Sequence, residues 1–219
     1  MDISPLTRRD TLKGLVASAA LAAAPVRAAT ASSPAAALLD RLAWQLLALQ
    51  PEDATRLGVD TGVHAALRSR LADRSPAGVT ATSRFLSTAL KALASVSRGG
   101  LDQSTLTSLA VTETAFRTAQ EGMALPYGVA TIGSWRNTPY GVVQNVGAWL
   151  DVPQVLDGDQ PVRTAADAEA YLARLSGMAA QLDGETVRID AARGKGLVPP
   201  AFLLDRTIAG MTQTLADAV

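Results

Sequence analysis

Residues that commonly carry out chemistry in proteins are scarce in this sequence. It contains no cysteine and a single histidine, His64. Disulfides, thiolate metal sites, a cysteine nucleophile and a lipoprotein anchor all need sulfur, so they are excluded. A zinc motif with two histidines is excluded as well. Because His64 lies in a charged, loop-like stretch without spaced carboxylates, we expect it to be an exposed surface histidine.

Three polar clusters resemble functional motifs only in part. Asp157 to Asp159 has the start of a calcium loop but lacks the further oxygen ligands and the closing glutamate, which favours a surface turn. Arg193 to Gly196 follows a predicted helix instead of opening one, so it indicates a helix end, not a phosphate site. Asp183 and Glu185 would diverge on a helix, which disfavours paired acid and base catalysis. The residues alone therefore assign no catalytic residue, no metal ligand and no cofactor to this chain.

The composition favours a helical protein. Hydrophobic residues make up 48% of the chain and aromatic residues only 4%, and the abundant alanine and leucine suit helix packing better than sheets. The 20 basic and 20 acidic residues cancel, so nothing in the charge indicates a nucleic-acid partner. We predict an all-α fold, an antiparallel helical bundle-like domain.

The amino terminus has the order of an export signal. Two arginines precede a short apolar run over residues 14–24, and small residues follow where a signal peptidase would cut. The run is shorter than the roughly 20 residues that a bilayer crossing needs, so we expect no permanent membrane anchor. The alternative, an amphipathic first helix, would need a polar face, and Ser18 is the only polar residue from Leu15 to Ala24. We predict a twin-arginine signal peptide over residues 1–28 and a location in the periplasm or outside the cell, with the signal carried by Arg8, Arg9, Lys13 and Ala28.

Helical periodicity organises the mature part, residues 29–219. It predicts helices over 38–49, 82–96, 104–120, 164–192 and from Pro199 to the end, with a short helix opened by Pro51 and a loop or broken helix over 59–78. In the long helix from Thr164 we expect one apolar stripe to face inward: Ala168, Tyr171, Leu172, Leu175, Met178, Ala179 and Leu182. Thr164 and Asp167 are spaced as a capping box.

Residues 122–161 form a different kind of segment, rich in glycine, proline and aromatic residues. No helical period persists there, and loops of this kind often carry binding groups. One interpretation is a substrate-contact loop formed by Trp135, Arg136, Asn137 and Tyr140. The other is that the aromatic side chains cover the helix ends as core packing, which would apply to Tyr127, Trp135, Tyr140 and Trp149.

Three stretches together resemble a known family. They run from Leu38 through Gly58, from Thr164 to Leu175, and from Gly194 to Pro200. In order and spacing they are similar to the amino-terminal part of the bacterial domain-of-unknown-function 885 family (DUF885). Members of that family resemble helical zinc metallopeptidases of the gluzincin type, are often exported, and have considerably longer chains.

The resemblance implies what this chain would contribute. The zinc-binding and catalytic residues of the family belong to a motif that does not occur before Val219, so zinc is expected for the full-length family and not for this chain. Residues 29–219 would be a truncated amino-terminal domain, with the carboxy-terminal catalytic part of the same protein as partner and a peptide-like substrate. The expected function is thus the exported amino-terminal helical segment of a zinc-metallopeptidase-like hydrolase. The alternative is a self-sufficient periplasmic helical binding or interaction protein.

Overall fold

A computed structural model describes residues 33–132 and 137–217 of the chain. Apart from Ser33 and Pro34, the described residues belong to one compact helical unit within Ala35–Val219. The predicted signal peptide, with Arg8, Arg9, Lys13 and Ala28, lies outside the described residues.

The described part of the chain is helical, which confirms the all-α prediction. In chain order it forms α1 (Pro34–Leu49), α2 (Pro51–Arg56), a 3₁₀ helix (Gly62–Ser69), α3 (Pro76–Ala94), α4 (Gln103–Met123), α5 (Ala148–Gln154), a π-helical turn (Val155–Asp159), α6 (Ala165–Gly194) and α7 (Ala201–Asp217). Among the described residues the only β pairing consists of two isolated bridges, Val129 with Thr138 and Val143 with Val146. No helix of the described residues combines the length and the apolar character that crossing a membrane requires.

Capping side chains explain where two of the helices begin. The hydroxyl of Ser75 accepts hydrogen bonds from the backbone N–H groups of Ala77 and Gly78, and Pro76 suits a first helical turn. Helix α3 therefore begins six residues before the apolar period that predicted it. The capping box at the start of α6 is confirmed, because Thr164 and Asp167 each accept a bond from the other's backbone N–H.

The apolar core lies among α1, α3 and α4. Its fully buried members include Leu86, Leu93 and Leu109, and the rings of Phe85 and Phe116 meet edge to face with centroids 5.4 Å apart. Helices α3 and α4 form a helical hairpin, joined by the short connection over residues 95–102. Burial of these side chains is the main apolar stabilisation of this part of the chain.

Helix α6 buries a different face from the one predicted. Tyr171, Met178 and Leu182 do pack against a small cluster formed by α5 and the π-helical turn. Leu172 and Leu175, however, are about half exposed, at 54% and 48%, whereas Arg174 is fully buried. The expectation of a continuous inward apolar stripe is therefore wrong, because polar side chains of α6 have bonding partners in the segment that covers them.

Helix α7 packs against α5. A Cβ added to Gly210 would lie 2.8 Å from the indole ring of Trp149, so the glycine permits this close contact. The indole is buried, at 8% exposure, while Phe202, Ile208 and Leu215 of α7 remain largely exposed. Of the aromatic residues in the 122–161 segment, Trp149 is thus core packing and Tyr127, at 50% exposure, is not.

Candidate functional site

A row of polar side chains on α6 holds the non-helical segment Arg70–Ser75 against the helix. The side chains recur every seven residues, two helical turns apart, so they lie on one face. They donate to alternate carbonyl groups of the segment: Arg174 to Arg70 (2.9 Å), Gln181 to Ala72 (2.7 Å) and Arg188 to Arg74 (3.5 Å). We call these three side chains, with Glu185, the polar seam.

Two glycines of α6 let the segment approach closely. A Cβ on Gly184 would lie 2.8 Å from the backbone nitrogen of Ser75, and one on Gly177 would lie 3.4 Å from the side chain of Leu71. Gly177 and Gly184 are also seven residues apart, so they lie on one face of α6, beside the polar seam. A larger residue at Gly184 would have to displace backbone, not a mobile side chain.

Arg174 is the most completely bonded member of the seam. Its guanidinium donates to the side chains of Gln160 and Thr55 and to three carbonyl oxygens, which are those of Pro51, Leu67 and Arg70. Burial lowers its pKa from the ordinary value, although the carboxylates of Glu52 and Asp60 oppose that change. Arg174 therefore joins α2, the 3₁₀ helix and the π-helical turn to α6.

A second group of charges fixes the start of α6. Asp60, 1% exposed, accepts hydrogen bonds from Thr55 (2.7 Å) and from Arg68 (3.1 Å). Arg68 also donates to Asp167 at 2.6 Å. This bond, together with backbone N–H groups at the helix start, lowers the pKa of Asp167 from its ordinary value.

Arg74 connects α5 and α6 across the segment. It donates to Asp151 at 2.7 Å and to Glu185 at 2.8 Å. Both carboxylate oxygens of Glu185 also accept from the backbone N–H of Ala148, at 3.1 and 2.9 Å, and so cap the first turn of α5. Burial acts to lower the pKa of Arg74, but these two carboxylates outweigh it and raise the pKa.

A half-open cleft of about 850 Å³ lies beside the polar seam, within the size range of small-molecule and peptide sites. Its walls come from α2, the segment leading into α3, the carboxy-terminal half of α6 and the loop after α4. Among its lining residues are Arg56, Arg74, Leu125, Tyr127, Arg188 and Lys195. The cleft thus offers both charged groups and apolar surface.

Arg188 differs from the other cleft arginines in its bonding. Among the described residues, its side chain makes one hydrogen bond, the 3.5 Å contact with the carbonyl of Arg74, which is long for such a bond. Burial lowers its pKa from the ordinary value, Glu185 opposes this change, and Arg74 adds to it by charge repulsion. Seven residues on, Lys195 donates to the carbonyl of Pro126 at 3.1 Å.

The predicted substrate-contact loop is described only in part. Trp135 and Arg136 lie outside the described residues. Asn137 accepts hydrogen bonds from the backbone and hydroxyl of Thr131, at 2.9 and 3.1 Å, and so closes the loop on itself. Tyr140 is partly buried. Residues on either side of this loop do line the cleft, namely Thr131, Ile132, Pro139 and Gly141, and the substrate-contact role of the four residues stays a prediction.

His64 is not the isolated surface histidine that the sequence suggested. Its ring stacks on Trp44 of α1, with centroids 3.4 Å apart and planes 11° from parallel, and it is partly buried. The contact joins the 3₁₀ helix to α1. Since it is a packing contact between two rings, it gives His64 a structural role.

A comparison with protein families supplies the wider context. Residues 51–219 match a family described as "Bacterial protein of unknown function (DUF885)". The chain belongs to this family. No curated protein and no solved structure matches it. The DUF885 match runs from α2 to the end of the chain, so it includes the whole polar seam and all but two of the residues lining the cleft, Leu49 and Gln50.

Zinc, which the resemblance to metallopeptidases implies for full-length DUF885 proteins, does not fit the described residues. A zinc site needs three or four closely placed ligands. No group of three histidine, cysteine, aspartate or glutamate side chains in the described part of this DUF885 chain is arranged to hold a metal ion. The carboxylates nearest the cleft instead bond arginines and backbone N–H groups.

Sequence reasoning missed the polar seam. It treated Glu185 only as half of an acid and base pair, and it assigned no role to Arg174, Gln181 or Arg188. A signal was present, however. Gly177 and Gly184 lie inside a strong helix, where each glycine costs about 1 kcal/mol relative to alanine, and their seven-residue spacing matches that of the three polar side chains.

Proposed function

We propose that this DUF885 chain is the exported amino-terminal helical part of a zinc-metallopeptidase-like hydrolase, and that its cleft binds peptide-like substrates. The metal and its catalytic residues would belong to the carboxy-terminal catalytic part of the same protein. The observation that carries the proposal is the cleft of about 850 Å³ beside the polar seam.

The lining of the cleft suits a peptide. Leu125 and Tyr127 are about half exposed, at 52% and 50%, and offer apolar contact surface at its edge. The loop that carries them is non-helical from Leu125 to Thr131, and exposed backbone of this kind can bond the main chain of an extended ligand. Charged side chains on α2 and α6 provide a few directed polar contacts, as ligand sites usually do.

A cleft-filling substitution tests this proposal. Ala191 is exposed and lines the cleft, whereas Ala179 is exposed on the same helix and does not. With short peptides as ligands, titration calorimetry should show binding to the purified chain and to Ala179→Trp, and no binding to Ala191→Trp. Equal binding by the two variants would place the peptide site elsewhere.

Metal analysis of the same samples tests the other half of the proposal. We expect no stoichiometric zinc by mass spectrometry of the metal content, and no peptide hydrolysis in the presence of added zinc. One tightly bound zinc together with hydrolysis would overturn the assignment of the chemistry to a separate part of the protein.

Substitutions in the predicted signal peptide test the proposed export. We propose that residues 1–28 act as a twin-arginine signal and deliver the domain to the periplasm or the medium. The double substitution Arg8→Lys and Arg9→Lys should leave the full-length precursor in the cytoplasm, while Arg27→Lys, outside the arginine pair, should be processed normally after Ala28. Cell fractionation and amino-terminal sequencing give the readout, and normal processing of the double variant would contradict the signal.

One observation favours the alternative of a self-sufficient periplasmic binding protein. Most of the charges in the cleft walls already have partners inside the chain, such as Arg74 with Asp151 and Glu185. A domain built in this way could bind peptides without a second part. Monomeric behaviour with a cooperative melt, combined with peptide binding as tight as that of any longer form, would favour this function over the leading one.

A further inference from the structure

One arginine of the cleft lacks the carboxylate partner that the others have. Arg56 bonds Asp53 and Asp159, and Arg74 bonds Asp151 and Glu185. Arg188 lines the same cleft but forms no ion pair with any described residue, and its single hydrogen bond to the carbonyl of Arg74 is 3.5 Å long.

The surroundings of Arg188 leave its charge poorly compensated. A guanidinium has five N–H donors, and this one is partly buried. The carboxylate of Glu185, one turn away on α6, is already bonded to Arg74 and to the backbone N–H of Ala148. Burial accordingly lowers the pKa of Arg188 from its ordinary value. Removing a cation from water without a partner is costly, and a partly buried charged group of this kind in a cleft is a candidate for a ligand contact.

We propose that Arg188 binds a carboxylate group of the peptide ligand. The inference rests on the proposed function, since it names the chemical group that the cleft recognises. A planar guanidinium with free donors matches the two oxygens of a carboxylate in a bidentate pair. The neutral parts of the peptide then contact the apolar edge formed by Leu125 and Tyr127.

Lys195 adds a second positive charge that attracts the ligand carboxylate. It lies seven residues after Arg188, about 10 Å along the helix axis, and lines the same cleft. Its bond to the carbonyl of Pro126 places the end of α6 beside the loop that carries Leu125 and Tyr127. The two cations therefore lie at the same end of the cleft, where both attract an anionic group. Six carboxylates also line the cleft, and each of them bonds a group of the chain itself.

The carboxylate could come from the free end of a peptide or from an acidic side chain. Three probes separate these sources: N-acetyl-Ala-Leu-Phe with a free carboxyl terminus, the same peptide as its amide, and N-acetyl-Ala-Glu-Phe-amide. We expect at least one of the two carboxylate probes to bind the full chain about tenfold more tightly than the neutral amide does, and the tighter of them identifies the source.

Arg188→Gln should reduce the binding of the preferred carboxylate probe to that of the neutral amide. Equal binding of all three probes, with no effect of Arg188→Gln, would overturn the inference and leave the cleft intact as a peptide site. No binding of any probe to the unsubstituted chain would overturn both the inference and the proposed function.

Thermal stability separates ligand binding from a structural role. Because Arg188 is poorly partnered, Arg188→Met should leave Tm unchanged or raise it. Arg74→Met should lower Tm, because it removes the guanidinium that bonds both Asp151 and Glu185. If Arg188→Met lowers Tm as much as Arg74→Met does, Arg188 holds the fold together and the inference is wrong.

Discussion

Arg174 has its guanidinium buried among carbonyl, hydroxyl and amide oxygens instead of opposite a carboxylate. Its partners lie between 14 and 123 residues away along the chain. Burying such a charge is tolerable only while its donors are satisfied. The residue therefore stabilises the fold by joining distant segments, and its substitution removes one donor from each of several acceptors.

Replacing Arg174 with methionine should lower the free energy of unfolding by about 3 kcal/mol, because five hydrogen bonds that join α6 to distant parts of the chain are lost. Urea denaturation measures the effect. The control is Arg193→Met on the same helix, where an exposed pair with Asp190 should be worth less than about 0.5 kcal/mol. Similar losses in both variants would contradict the role assigned to Arg174.

Asp167 gives the start of α6 a definite pH dependence. Its pKa in the folded protein lies below the ordinary value, about 3.9 for an unfolded chain, because Arg68 and backbone N–H groups bond the charged form. The stabilisation is present above the unfolded pKa and is lost as the pH falls through the folded one. Asp167→Asn should therefore be less stable than the unsubstituted protein at pH 7, and the difference should shrink on acidification.

Urea denaturation at a series of pH values from neutral to acid measures this difference. Asp183→Asn, at an exposed position of the same helix, is the matched control and should give the pH profile of the unsubstituted protein. A constant difference between Asp167→Asn and the unsubstituted protein at all pH values would show that its carboxylate does not carry the effect.

Local residue patterns were predictable from the sequence, and long-range ones were not. The capping box of Thr164 and Asp167 was found because both partners lie within one turn. The stacking of His64 on Trp44 and the bonds of Arg174 to residues near position 51 join parts of the chain that no local period connects. The sequence therefore predicted a local cap better than it predicted contacts between distant segments.

At the scale of the element, α6 shows why periodicity predicts a helix more reliably than the face it buries. The apolar period from Ala168 to Leu182 correctly indicated helix. It could not show that carbonyl groups of the segment Arg70–Ser75 would satisfy polar side chains on the neighbouring face, which removes the penalty that normally keeps such side chains in water. Leu172 and Leu175 are consequently left exposed.

Two glycines of α6 should differ in how far an alanine substitution changes the stability of the protein. Gly184→Ala should lower the free energy of unfolding by about 1–3 kcal/mol, since its Cβ would lie 2.8 Å from the backbone nitrogen of Ser75. Gly194→Ala, with nothing within 4 Å, should be neutral or stabilising because alanine favours helix. Thermal melts of the two variants measure this contrast, and a stabilised Gly184→Ala would mean that the segment is not held against α6.

At the scale of the whole domain, two kinds of packing stabilise different regions. Helices α1, α3 and α4 share an apolar core, whose stabilisation does not depend on titration. Helix α6 has a smaller apolar cluster and is attached in large part through carboxylates and arginines, among them Asp167 with Arg68 and Glu185 with Arg74. The two regions should therefore respond differently to acid.

On acidification from about pH 5 towards pH 1, where carboxylates become protonated, amide hydrogen exchange in α6 should accelerate before that of the apolar core. Amides of Leu86, Leu93 and Leu109 report on the core, and those of Gln181 and Glu185 report on α6. Native-state exchange followed by mass spectrometry or NMR resolves the two groups. Uniform acceleration across both groups would mean that the domain opens as one cooperative unit.

The polar seam lies far along the chain from its partners in residues 51–75, and this separation affects the order in which parts of the domain fold. Gln181 bonds Glu52, 129 positions earlier, whereas the hairpin of α3 and α4 needs only neighbouring residues. Contacts between distant residues close late, because the chain entropy lost in joining them is large. On a ribosome, residues 51–75 would thus emerge long before their partners in α6 exist. This stretch would be open to chaperones and proteases until the last third of the domain has been synthesised.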